Sequence, residues 1–213
     1  ARFQDVLDDF RQGKPVVILD DESRENEGDV VLATEAVTPE ALAFLMKEAR
    51  GLICVSISSE TASRLNLPLQ ATTNNSPHQT PFAVSVDHRD VVGRGVTAAG
   101  RAHTMRMMID PASVAGDFVI PGHVVPLIAN DAGVLKRQGH TEGVFDLARL
   151  AGLSPSGILC EVLNPDGTMA RGQEIVDFCE RHALRITTIA EIRHFRMLHE
   201  IAVRQLDTRD VST

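Results

Sequence analysis

The sequence predicts an α+β fold, a single domain with a mixed, twisted β-sheet flanked by helices. Short β-rich runs alternate with helical patterns along all 213 residues, which is typical of mixed α/β domains and not of helical bundles or sandwiches. No internal repeat or linker-like stretch divides the chain. We therefore expect one domain over residues 1–213, with about 193–213 forming a C-terminal helical tail.

Element boundaries in the first half follow from apolar runs and capping residues. The apolar run Val16–Leu19 predicts a strand. Thr38 as N-cap, Pro39 at the first helical position and Gly51 as a stop predict a helix between them. The remaining predicted elements of this half are strands over Leu52–Ser58 and Pro81–Asp87 and a helix over Thr97–Ile109, which Asp110-Pro111 ends.

The second half alternates in the same way, with the turn Asn164–Gly167 between a strand and a helix. The predicted helices are Glu142–Leu150, Gly172–His182 and Ala190–Gln205. The predicted strands are Gly157–Leu163 and Ile186–Ile189, preceded by two short apolar segments, Gly122–Leu127 and Gly133–Leu135.

Composition excludes several classes of function. The formal net charge of −8 argues against a nucleic-acid binder, because such binding depends on phosphate neutralisation by Lys and Arg. Aromatic residues are 4% of the chain, without Trp or Tyr, so base-stacking surfaces are not expected. No signal peptide or long apolar stretch is apparent, which favours a cytoplasmic protein that does not contact a membrane. Three cysteines without a CxxC pair indicate neither a disulfide framework nor a zinc site, and Cys54 and Cys160, which lie in apolar runs, are expected to be buried thiols.

An acidic segment, Asp20–Asp29, follows the first predicted strand and carries six carboxylates and one arginine. Mg²⁺ prefers oxygen ligands, commonly one or two carboxylates together with substrate oxygens. The segment therefore suggests a metal site at a strand terminus. The alternative is a solvated acidic loop, which is the commoner explanation for an arbitrary run of charge.

Two Gly-His pairs, at His123 and His140, lie at the edges of apolar segments. An imidazole in such a position serves as a metal ligand or a proton shuttle, although a single His is more often only a hydrogen-bonded residue. Arg137 precedes the second pair, and Thr141 is a candidate N-cap there. Free amides at a helix N-terminus attract phosphate, whereas the simpler interpretation is a helix cap flanked by solvated bases.

Glu161 is a lone carboxylate in the apolar run Ile158–Leu163. Strand alternation places its side chain either on a solvent face or in the interior. In the interior, close to a metal, it would be a candidate general acid or base.

Five motifs occur in an order and spacing that resemble the 3,4-dihydroxy-2-butanone 4-phosphate synthase family, from about residue 4 to residue 192. They are DDESRENEGD at 20–29, GLICV at 51–55, PGH at 121–123, GHTE at 139–142 and DGTMAR at 166–171. The resemblance implies a homodimeric enzyme of riboflavin biosynthesis that converts ribulose 5-phosphate into the four-carbon phosphate and formate. It also implies Mg²⁺ or Mn²⁺, two ions per site, and a site near the dimer interface.

The resemblance also implies roles for individual residues. Glu25 and His140 would hold the metal ions. His123 and Glu161 match two residues that are essential for proton transfer, and Glu27 is a further acid or base. The residues that would bind substrate are Arg24, Glu25, Asp29, Arg94, Arg137, Gln138, Gly139, His140, Thr141 and Glu161.

Four positions depart from the family pattern: Arg94 replaces a threonine, Gly100 an aspartate, and Ile120 and Ile128 two arginines. They indicate either former ion pairs replaced by apolar packing or a reshaped substrate pocket. Two alternative functions therefore remain. One is metal-assisted enolisation or rearrangement of another sugar or keto phosphate, and the other is a catalytically silent partner. Some relatives are fused to GTP cyclohydrolase II, so fusion or association with that enzyme is also expected.

Overall fold

The computed structural model describes residues 2–200, which form seven strands and seven α-helices. The strands are β1 Val16–Leu19, β2 Gly28–Ala33, β3 Cys54–Ile57, β4 Val86–His88, β5 Phe118–Ile128, β6 Gly157–Glu161 and β7 Ile186–Thr188. The helices are α1 Phe3–Arg11, α2 Pro39–Phe44, α3 Ser59–Arg64, α4 Ala98–Ile109, α5 His140–Leu150, α6 Gln173–His182 and α7 Ile189–His199.

All seven strands belong to one sheet, in the order β4-β5-β3-β6-β2-β1-β7. The pairs β1–β7 and β3–β5 are parallel, and the other neighbours are antiparallel. The predicted α+β class with a mixed sheet is confirmed.

Helices cover both faces of this sheet because its central strands are apolar on both sides. Along β2, Val30 and Leu32 contribute to the core on one face, and Val31 and Ala33 to the core on the other, as the two-residue period of a strand requires. Helices α2, α4 and α6 pack on the first face, while α1, α5 and α7 pack on the second. The buried acidic residues described below lie on the second face, next to α5.

Several predicted elements differ from the observed ones. The acidic segment connects β1 to β2 in an antiparallel pair, and the sequence patterns predicted neither β2, α1 nor α3. The strand predicted over Pro81–Asp87 is regular only at Val86–His88, with isolated bridges at Phe82 and Ala83. The segment Gly133–Leu135 is a 3₁₀ turn, and Gly122–Leu127 belongs to the longer β5.

The predicted C-terminal helix is observed as α7, to His199. The rest of the predicted tail, from residue 201 onwards, lies outside the described residues. No helix within residues 2–200 combines the length and the hydropathy that crossing a bilayer requires.

Candidate active site

A polar cavity of about 220 Å³, the acidic cavity, opens between the start of β2, the end of β6 and the start of α5. Asp29 and Glu161 sit opposite each other in the β2–β6 register, so their side chains leave the sheet on the same face. The cavity is lined by Arg24, Glu25, Glu27, Asp29, Cys54, Thr80, Phe82, Leu127, Arg137, His140, Thr141, Leu159 and Glu161. Most of the residues predicted for the site therefore converge here.

The Asp20 carboxylate accepts hydrogen bonds from other residues of the acidic segment and holds the segment in one conformation, a role that the sequence did not predict. Its side chain is fully buried. One carboxylate oxygen accepts the amide of Glu27 at 2.9 Å, and the other accepts the amide of Glu25 and the Arg24 guanidinium, both at 3.0 Å. Asp20 thus fixes three of the four residues that the segment presents to the cavity, Arg24, Glu25 and Glu27.

His140 is placed as a metal ligand would be. Its ligating atoms and those of Asp20 and Glu25 all lie within 4.8 Å of one another. Nδ1 of His140 is 3.9 Å from Oε2 of Glu25 and 3.7 Å from Oδ1 of Asp29. Burial lowers the pKa of His140 to about 4, against the opposing effect of Asp20. The imidazole is therefore neutral at pH 7, the form that coordinates a metal.

Two buried polar atoms in this group have no hydrogen-bond partner among the described residues, Nε2 of His140 and Oδ1 of Asp29. Buried polar groups are normally paired. A divalent cation next to Nδ1 of His140 would bind Oδ1 of Asp29, which lies 3.7 Å from that nitrogen, so the unpartnered carboxylate oxygen fits a bound metal.

The carboxylates of the cavity lie in buried positions, where a negative charge is unfavourable. Burial, reinforced by Glu161, raises the pKa of Asp29 well above its usual range. Burial also raises the pKa of Glu27, and Glu25 adds to that effect. Burial raises the pKa of Glu161, whose Oε2 accepts the amide of Leu52 at 2.7 Å. Glu161 also lines the cavity. Of the two orientations that its strand allowed, towards solvent or towards the interior, the structure shows the one towards the interior.

Two guanidinium groups converge on Gly139 at the start of α5. A Cβ at this position would overlap the Arg137 guanidinium and lie 3.1 Å from Nη2 of Arg24. Gly139 is the N-cap and offers no side-chain cap, so the first amides of α5 remain available to an anion. Thr141 was predicted as the cap and instead lies buried within the first turn.

Glu142 holds Arg137 in place. Its fully buried carboxylate accepts Nη1 of Arg137 at 2.6 Å and the amide of Asn130 at 3.1 Å. Nη2 of Arg137 donates to the carbonyl oxygen of His78 at 3.1 Å. Glu142 is the last residue of the GHTE motif, and that motif was the signal that could have identified it.

His123, Arg94 and Gln138 do not line the cavity of their own chain. His123 lies on β5 with its side chain 51% exposed, and Nδ1 is 2.6 Å from Oδ2 of the buried Asp87. Arg94 is exposed in the loop before α4, where Nη2 donates to the carbonyl oxygen of Asp90. Gln138 lines a neighbouring open groove with Arg24.

The other departures from the family pattern have local structural consequences. A Cβ at Gly100 would overlap the carbonyl oxygen of Arg94, so this loop leaves no room for the expected aspartate. Ile128 is partly buried and packs against the core, whereas Ile120 is exposed. Apolar packing therefore accounts for Ile128 and not for Ile120.

Known proteins resemble this chain over most of its length. Residues 4–195 match the family model described as 3,4-dihydroxy-2-butanone 4-phosphate synthase. A protein of that name from Pseudomonas aeruginosa is 46% identical over 202 residues, which are 95% of this chain and 55% of the relative. One from Desulfotalea psychrophila is 44% identical over 94% of both chains. The chain spans just over half the length of the first of these relatives.

Solved structures are similar over nearly the whole chain. The two-domain 3,4-dihydroxy-2-butanone 4-phosphate synthase RibBX from A. baumannii superposes with a TM-score of 0.94 at 43% identity, covering 100% of this chain and 63% of that one. A 3,4-dihydroxy-2-butanone 4-phosphate synthase in complex with two magnesium ions superposes with a TM-score of 0.86 at 38% identity, covering 92% and 97%. The chain belongs to the 3,4-dihydroxy-2-butanone 4-phosphate synthase family.

Proposed function

We propose that this protein converts D-ribulose 5-phosphate into 3,4-dihydroxy-2-butanone 4-phosphate and formate, with Mg²⁺ as cofactor, in riboflavin biosynthesis. The observation that carries the proposal is the convergence of Glu25, His140 and Glu161 with two guanidinium groups around one cavity, in a member of this family. The cavity combines a cation site with an anion site, as a sugar phosphate and a metal require.

Glu25 and His140 would hold the metal ions. Bound Mg²⁺ supplies polarisation of the carbonyl and hydroxyl oxygens of the substrate, which acidifies the proton on the carbon beside the carbonyl. A relative of known structure contains two magnesium ions, and we infer the same number here. Mn²⁺ is the expected substitute, because it takes similar ligands.

Arg137, Arg24 and the free amides of α5 would bind the phosphate. Arginine binds phosphate oxygens bidentately, and the helix N-terminus favours negative charge. Gly139 lets the phosphate approach the backbone, and Gln138 and Thr141 flank the same helix start. Asp29 and Glu161 would then face the hydroxyl groups of the sugar.

Glu161 and Glu27 would move protons during the reaction. Enolisation, dehydration, skeletal rearrangement and deformylation each need a proton removed or delivered at neighbouring carbons. A carboxyl whose pKa is raised exchanges protons more readily near neutral pH than an ordinary one. Burial supplies that shift for both residues.

His123 and Arg94 would reach the site from a second copy of the chain in a homodimer. His123 is half-exposed, anchored by Asp87 and absent from the cavity of its own chain. Gly95, next to Arg94, packs against the same Asp87 carboxylate, so His123 and Arg94 belong to one exposed surface. A dimer that places this surface over the cavity completes the set of proton-transfer residues.

Some relatives carry the name RibBA, "Riboflavin biosynthesis protein", and this chain covers 52% of the one from Aquifex aeolicus. We infer that this protein works fused to or associated with GTP cyclohydrolase II. A single domain over residues 1–213 and a cytoplasmic location stay predictions.

The decisive experiment incubates the protein with ribulose 5-phosphate and Mg²⁺ and identifies the products by NMR. We expect formate and the four-carbon phosphate in equal amounts. Turnover of another sugar or keto phosphate, with none of ribulose 5-phosphate, would favour a divergent paralogue. A folded protein that turns over no member of such a panel would favour a silent partner.

A further inference from the structure

Within residues 2–200, two groups of three ligating side chains bring their donor atoms within 4.8 Å of one another. One group belongs to the acidic cavity. The other comprises His88 at the end of β4, Asp90 in the turn that follows, and His103 in the middle of α4. The second group has no part in the proposed reaction.

The donor atoms of this second group have the spacing of a metal coordination shell. Nδ1 of His88 lies 3.2 Å from Nε2 of His103 and 3.6 Å from Oδ2 of Asp90. Nε2 of His103 lies 3.8 Å from the same Asp90 oxygen. Ligand atoms about 2.0–2.2 Å from a tetrahedral metal are separated by about 3.3–3.6 Å. The three atoms therefore describe one face of a slightly distorted tetrahedron.

The two imidazoles are oriented by packing. The ring of His88 is buried, and Phe118 packs edge-on against it with centroids 5.4 Å apart. The ring of His103 crosses that of His88 at 70° with centroids 4.8 Å apart. The Asp90 side chain is 71% exposed, which leaves an open approach for an ion and for a water molecule as fourth ligand.

The group is separate from the residues proposed for catalysis. Successive residues of a strand point to opposite faces, so His88 points away from Asp87, the residue that anchors His123. The ligand set also differs from that of the acidic cavity. Two imidazoles and one carboxylate favour Zn²⁺ and similar transition metals, whereas carboxylates and substrate oxygens suit Mg²⁺.

We propose that His88, Asp90 and His103 bind a divalent transition-metal ion such as Zn²⁺ at a site separate from the acidic cavity. The bound ion joins β4 to α4 and fixes the loop between them, which carries Arg94. The bonds to the metal then replace two hydrogen bonds of His88 Nδ1, one from the Asp90 amide and one with Nε2 of His103. The positive charges of Arg94 and Arg106 act on His103, which favours an exchangeable ion over a permanent one.

The test is a Zn²⁺ titration of the chelator-treated protein by calorimetry, with Co²⁺ absorption as a report of tetrahedral geometry. The E25Q/H140N double variant removes the ligands proposed in the acidic cavity, and we expect it to retain one Zn²⁺ per chain. In that background H103A should weaken Zn²⁺ binding at the remaining site more than about 100-fold, since even loss of a residue that only orients a metal ligand costs about 10–100-fold.

Two further variants keep the test decisive. D90A removes an exposed ligand, so it tests the site without disturbing the core. H194A removes an exposed histidine elsewhere and should leave Zn²⁺ affinity unchanged. The proposal is overturned if the E25Q/H140N protein binds no Zn²⁺, or if H103A and D90A bind it as tightly as their parent.

Discussion

Replacing Asp20 with Ala tests whether the hydrogen bonds to its carboxylate hold the acidic segment in one conformation. The substitution removes the acceptor for two backbone amides and the Arg24 guanidinium, at 2.9–3.0 Å. Hydrogen bonds to a charged group contribute about 1.5–3 kcal/mol each, so the ordered segment loses roughly 5–9 kcal/mol if the three are additive. The free energy of global unfolding falls by less than this, because the freed donors form hydrogen bonds with water when the segment relaxes.

We therefore expect D20A to affect the site more than the fold. Mg²⁺ affinity should fall about 10–100-fold, the usual cost of losing a group that orients metal ligands, and kcat/KM for ribulose 5-phosphate should fall at least as far. The melting temperature should fall by less than about 10 °C, which corresponds to about 3 kcal/mol for a chain of this length.

Calorimetric Mg²⁺ titration, a formate assay and thermal unfolding measure these three effects. E22A is the matched control, because Glu22 is an exposed carboxylate of the same segment and its loss should change Mg²⁺ affinity less than about threefold, the effect of screened surface charge. Equal Mg²⁺ affinities of D20A and the wild-type protein would refute the role assigned to Asp20.

Four further predictions concern other parts of the site. E142A leaves Arg137 without its buried partner, so KM should rise more than kcat falls and stability should drop by about 3–5 kcal/mol; an unchanged KM would contradict this. H123A should abolish turnover at a stability cost of about 1–2 kcal/mol, by formate assay and circular dichroism. Mixed dimers of E25Q and H123A chains should recover about half of the activity if sites are shared between subunits, and none if each chain is self-contained. G100A should destabilise the protein by about 1–2 kcal/mol because its Cβ meets the Arg94 carbonyl, although Ala normally stabilises helices; G116A, whose Cβ meets nothing within 4 Å, is the control.

The sequence predicted those helices and strands whose ends are marked by neighbouring residues. Capping by Thr38, the stop at Asp110-Pro111 and the apolar run at Val16–Leu19 gave helices and strands close to the observed ones, because these signals act over a few residues. The β1–β2 pairing was not predicted. It joins two apolar runs across a charged segment that carries no tight-turn signature, so only the tertiary structure reveals it.

The sequence predicted those site residues whose side chains are suited to metal binding, phosphate binding or proton transfer. Glu25, Asp29, Arg137, His140 and Glu161 do converge on one cavity. Residues that hold other site residues in place by hydrogen bonds were not predicted. In the sequence, a buried carboxylate that orients a loop cannot be distinguished from any other acidic residue. Asp20, Glu142 and Asp87 are of this kind, and their hydrogen bonds identify them.

We expect the acidic cavity to bind the Mg²⁺ that turnover of ribulose 5-phosphate requires. The most direct measurement is the rate of formate release as Mg²⁺ is titrated into chelator-treated protein, for the wild type and for H140N. The wild type should show saturable dependence on Mg²⁺, and H140N should show no formate across the same range although it is folded. Full activity of the wild type in excess chelator, or wild-type activity of H140N, would contradict the account.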